Sequence, residues 1–151
     1  MPKSNRKNGA PGWEDAGVIV PWSTWIQYGD KRIIKENWAA MVRYMEYIEG
    51  RSQKYIRPGY FLGDHLAVDF STPSNLLSTG LWAMTAEMMS QMANATGKVE
   101  EAKKYLELKG EIQLAFQEKF IAQDGKIGSG SQTSYAIALQ AGMVPDSMKE
   151  R

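Results

Sequence analysis

The chain has 151 residues, 43% hydrophobic and 23% charged, with a net charge of +1 and no cysteine. That is one domain's worth of chain with enough apolar material for a core, and its near-neutral charge points to no nucleic acid and no anionic membrane surface. Without cysteine there is no disulfide framework or thiolate chemistry, a single histidine leaves no ligand set for zinc, and no apolar run nears the roughly 18 residues of a membrane span.

Residues 1–12 read as a leader, whose Lys3, Arg6 and Lys7 form a solvated basic head. They carry no apolar signal-peptide core, and the compartment stays open. The first helix is expected over 15–28, with Val18, Trp22, Trp25 and Ile26 on one stripe. Pro21 inside it clashes with the carbonyl of Gly17, which predicts either a kink or a helix beginning near Val20. A second helix spans 31–49, with Ile34, Trp38, Met41, Met45 and Ile48 inward, Asp30 as N-cap and Gly50 as stop. The third opens at Thr72-Pro73, a capping hydroxyl before a first-turn proline, and runs through Leu77, Leu81, Thr85 and Met88 to Gly97. The fourth covers 98–120, with Tyr105, Leu108, Ile112, Ala115 and Phe116 inward, and the fifth 132–141. Pro145-Asp146 starts a sixth, and 123–130 reads as a small hairpin around an Asp-Gly turn. The chain is all-α, and its long linker, 51–71, is unusual enough in a helical domain to suspect function.

Trp13, Glu14 and Asp15 stand at the mouth of the first helix. An indole face beside carboxylates suits a sugar, whose C–H face packs on the ring while its hydroxyls donate to the acids. Packing explains the same residues, with Trp13 as a hydrophobic staple and Asp15 as an N-cap. Glu14 is expected to face solvent. In the long linker, Asp64 and His65 follow Gly63, and His65 is expected to polarise a hydroxyl rather than bind metal. Asp64 and Asp69 invite comparison with a catalytic carboxylate pair, although loop aspartates mostly cap turns. Met84, Met88, Met89 and Met92 read as core filling. Gln132, Thr133 and Tyr135 sit at a loop-to-helix junction where capping and packing account for them. The glycine-rich 125–130 loop lacks the Lys-Ser/Thr of a phosphate loop, which excludes nucleotide binding there.

Five motifs occur in order: Gly12-Trp13-x-Asp15-Ala16, Val20-Pro21-Trp22, Tyr28-Gly29-Asp30-Lys31-Arg32-Ile33, Gly63-Asp64-x-Leu66 and Gln132-Thr133-Ser134-Tyr135-Ala136. In this order they resemble bacterial α-L-rhamnosidases over nearly the whole chain, from about Gly9 to Pro145. The resemblance implies a partial (α/α)6 toroid, about five helices of a six-hairpin barrel, with 13–151 a fragment of the catalytic domain. It implies hydrolysis of terminal α-L-rhamnosyl bonds with inversion, without a cofactor. It also places the tryptophan matching Trp13 in the sugar pocket, so Trp13, Asp15, Asp64 and His65 become the expected substrate-binding residues. Two departures stand out: Glu14 replaces a usual glycine, and His65 a usual tryptophan. The family's general acid is a glutamate upstream of the Gly-Trp-x-Asp segment and its general base a glutamate further along the toroid, so no catalytic residue is expected in this chain. Exposed toroid edges should favour self-association. Rival expectations are another toroid glycosidase, fucosidase- or trehalase-like, and a non-catalytic carbohydrate-binding or interaction module.

Overall fold

Residues 10–60, 62–68 and 72–149 are described by the computed structural model. Among them are six helices, α1 (Ala16–Tyr28), α2 (Arg32–Arg51), α3 (Ser74–Ala95), α4 (Val99–Phe120), α5 (Gln132–Gln140) and α6 (Asp146–Lys149). α1 ends where Gly29 enters the left-handed region at φ +69° and returns its N–H to the Trp25 carbonyl at 2.7 Å. Only glycine does this at no steric cost, and it lets Asp30 open the next helix at once. Asp30 accepts the Arg32 backbone N–H at 2.9 Å and grips the Arg32 guanidinium. That side-chain bond holds the Asp30 carboxyl down at about 2.

Short connectors make α1–α2 and α3–α4 helical hairpins. α3 touches α1, α2, α4 and α5, so the odd-numbered helices form an inner row, α1–α3–α5, with α2 and α4 outside it. This is the layering expected of a toroid wall. α3 is accordingly buried nearly all round, through Leu76, Trp82, Ala83, Ala86, Met89 and Ala93. α2 delivers Ile34, Met41, Met45 and Ile48, and α4 delivers Tyr105, Leu108, Ile112 and Phe116. Of the four methionines on α3, Met89 and Met92 are fully buried and Met84 and Met88 pack against the same core, as core filling requires. Gly80 lets α3 meet α5, because a Cβ there would stand 2.8 Å from Ile137 Cγ1.

Several expectations shift. α1 is one continuous helix from Ala16 despite Pro21, not one beginning near Val20. Ile26, expected inward, is 53% exposed because no neighbouring helix covers that side of α1 among the described residues. Gly50 does not stop α2, which runs on to Arg51. α3 starts one residue later than expected, with Pro73 as the flanking residue, and the Thr72 hydroxyl is used elsewhere. The small hairpin expected around Asp124-Gly125 is present, closed by a single Ile121–Ile127 antiparallel bridge.

Candidate functional site

The segments before α1, α3 and α5 gather at one end, where Arg57, Tyr60 and His65 of the linker meet Trp13 and Asp15, and Thr72 meets Ser131. Asp15 begins α1, but its side chain does not cap that helix. Its Oδ2 accepts the Gly12 N–H at 2.7 Å, and its Oδ1 accepts from Tyr44 Oη at 2.7 Å and from Arg57 Nη1 at 2.9 Å. Arg57 Nη2 in turn donates to Tyr44 Oη at 3.2 Å. Both ions are buried, at 0% exposure for Asp15 and 1% for Arg57. Burial, with the Asp15 charge second, pushes the Tyr44 phenol well above the usual tyrosine range. The Arg57 backbone N–H also donates to Thr79 Oγ1 on α3 at 3.1 Å. Arg57 thus ties the linker to the segment before α1 and to the outer helix α2 through its guanidinium, and to α3 through its backbone. The sequence had put Asp15 at the sugar, yet its carboxylate is closed off from solvent here and committed to this network.

Trp13, two residues before that anchor, stays 56% exposed. Its indole lies 5.8 Å from the His65 ring at 36° and 6.4 Å from the Tyr60 ring at 57°. Ala10, Trp13, Glu14, Tyr60 and Leu62 line a cavity of about 330 Å³. Glu14 is half-buried on that wall instead of pointing to solvent. Asp64, beside His65, accepts at Oδ2 from Thr72 Oγ1 at 2.9 Å, and the hydroxyl chain continues to Ser131 at 2.7 Å and Ser134 at 2.8 Å. Ser131 also N-caps α5 by accepting the Ser134 N–H at 3.2 Å. No donor among the described residues reaches Asp64 Oδ1.

Trp13 and His65 are therefore brought together, Asp64 adjoins His65 in the chain and bonds Thr72, and Asp69 lies outside the described residues. Tyr135 is elsewhere, in a cavity of about 360 Å³ with Ile121, Leu139 and Met148, and Gln132 and Thr133 line a separate groove with Leu77. Sequence reasoning missed Tyr60, Tyr44 and Arg57. The signal available for Arg57 was weak: it is one of three cations, with Arg51 and Lys54, in a linker already suspected of function.

The model of the bacterial alpha-L-rhamnosidase 6 hairpin glycosidase domain matches residues 1–151. The chain belongs to that family. An alpha-L-rhamnosidase of Streptomyces avermitilis is 34% identical over 146 residues, covering 97% of this chain and 14% of the relative. The crystal structure of the Streptomyces avermitilis alpha-L-rhamnosidase complexed with L-rhamnose superposes with a TM-score of 0.88 at 34% identity, over 94% of this chain and 14% of that one. The alpha-L-rhamnosidase of Dictyoglumus thermophilum gives 0.85 at 27%, over 94% and 17%. The family resemblance, the glycosidase class of the relatives and the partial toroid agree with the sequence expectation. The chain spans about one-seventh of the length of the first of these rhamnosidases.

Proposed function

We propose that this chain forms part of the sugar-binding wall of a glycoside hydrolase that removes terminal α-L-rhamnosyl groups. The observation that carries the proposal is the exposed Trp13 ring facing His65 and Tyr60 at the rim of a small cavity. The apolar face of a deoxysugar packs on such rings, while Asp64 Oδ1 and the His65 imidazole take its hydroxyls. Thr72 holds the other Asp64 oxygen, which fixes the carboxylate's orientation. Asp15 acts as a positioning residue: by accepting the Gly12 N–H it sets the backbone on which Trp13 stands.

Proton transfer belongs to glutamates elsewhere in the toroid. One protonates the leaving glycosidic oxygen while the other activates water across the ring, giving inversion. The test uses a complete toroid containing this segment and an aryl α-L-rhamnoside. Asp64→Asn should lower kcat/KM without abolishing turnover, and NMR should show the β-anomer of rhamnose released first. Initial α-anomer would overturn the inverting mechanism, and complete loss of turnover would make Asp64 catalytic.

A further inference from the structure

A second, larger cavity of about 810 Å³ lies between the C-terminal ends of α2 and α4, at the linker end of the molecule. Arg51, Lys54 and Lys119 contribute cations to its wall, against one carboxylate, Glu118, and a fourth cation, Arg57, that is paired with Asp15. Gln53 and Asn75 add amide groups able to hydrogen-bond hydroxyls. Lys54 stands in an unusual turn. Gln53 and Ile56 exchange both backbone hydrogen bonds, at 3.1 and 2.9 Å, so Lys54 and Tyr55 are the two central residues of a tight hairpin. Both have positive φ, +48° and +58°. Such turns favour Asn-Gly, because side chains with a Cβ are strained there. Strained backbone of this kind concentrates at functional sites. Here it places an ammonium on a wall that already carries Arg51, Arg57 and Lys119.

We propose that this cavity binds the anionic group of a saccharide unit, a carboxylate or a sulfate ester, with Lys54 and Lys119 holding the charge and Gln53 and Asn75 the neighbouring hydroxyls. The volume exceeds what a bare anion fills, which leaves room for a ring beside the charge, and the amide groups offer both donors and acceptors to its hydroxyls. The cavity also adjoins the aromatic site: Arg57 lines it, and the Asp15 that Arg57 grips lies next to Trp13 and Glu14. The choice of a saccharide as carrier rests on the function proposed above; the anion site rests on its own residues.

The test uses a complete toroid containing this segment, isotope-labelled at residues 53–56 and Trp13, and follows those N–H resonances during titration with D-glucuronate, D-glucose 6-sulfate, inorganic sulfate and D-glucose at matched ionic strength. One or both charged sugars should shift the amides of residues 53–56, and whichever does so identifies the carboxylate or the sulfate ester as the group bound. Lys54→Gln and Lys119→Gln should each weaken that binding about fivefold, as loss of a charge-assisted hydrogen bond requires. Lys54→Arg should retain it, which separates loss of charge from damage to the turn. No shift from either charged sugar, or a shift unchanged in both glutamine variants, overturns the inference. Inorganic sulfate binding as tightly as the sugars overturns its saccharide part. L-rhamnose shifting the Trp13 indole N–H while both charged sugars do nothing would sink the anion site and leave the rhamnosyl proposal standing.

Discussion

At the scale of single residues, the Asp15–Arg57 pair shows why a buried ion pair must be removed whole or not at all. Asp15→Asn leaves the guanidinium buried beside an uncharged amide, and should cost about 3–5 kcal/mol in equilibrium unfolding. Asp15→Leu with Arg57→Met should cost less than either single change, since no orphan charge remains. Trp13 behaves in the opposite way because it buries little. Trp13→Ala in a complete toroid should weaken rhamnose binding by about 1–3 kcal/mol and leave the melting temperature nearly unchanged. A collapse in melting temperature with unchanged affinity would make Trp13 a staple. Tyr44 and Tyr105 set the alkaline limit. Burial raises both phenols above their ordinary value, Tyr105 to about 12, so the folded chain keeps protons that the unfolded chain releases. The stability they contribute is full below about pH 10 and falls as pH rises through the folded values. Thermal melts above about pH 10 should show that decline, and Tyr44→Phe should flatten it.

Among elements, the 53–56 turn and the start of α5 make contrasting predictions. Replacing Lys54-Tyr55 by Asn-Gly relieves two left-handed side-chain residues and should raise stability by about 1–2 kcal/mol, read as a higher urea midpoint at unchanged slope. Ser131→Ala removes an N-cap and cuts the hydroxyl chain to Thr72 and Asp64. It should cost about 1 kcal/mol and lower affinity for rhamnose in the complete toroid, although Ser131 lies outside the aromatic cavity. A change in stability alone would show that Thr72 orients Asp64 unaided.

On the scale of the whole molecule, the inner row ends on two uncovered edges. Val20 and Ile26 of α1, at 55% and 53% exposure, mark one, and Leu139 of α5, at 56%, marks the other. Neighbouring hairpins would cover such faces in a closed toroid, and apolar area left in water drives association. The isolated chain should therefore self-associate at micromolar concentration in sedimentation experiments. It should not release aglycone from an aryl α-L-rhamnoside. A monomer that melts sharply would argue that these edges do not need partners.

The sequence by itself determined the helices, the hairpins and the family. Gly29-Asp30 and the Ile34–Trp38–Met41–Met45–Ile48 spacing are local signals, since capping and helical periodicity act over a few residues. It succeeded only in part on α3, where Thr85 is buried as expected but Leu77, Leu81 and Met88 are partly exposed and Leu76, Trp82, Ala86 and Met89 lie deepest. A helix packed by four others has little polar contrast from which a face can be read. It placed Trp13, Asp64 and His65 near the sugar as candidates, and only the tertiary structure brought the Trp13 and His65 rings together and added Tyr60. Only the tertiary structure also showed that Asp15 is buried and paired with Arg57. The sequence separates Asp15 from Tyr44 and Arg57 by most of two helices and part of a linker, and nothing local tells a carboxylate whether its cation will be a solvated neighbour or a buried guanidinium.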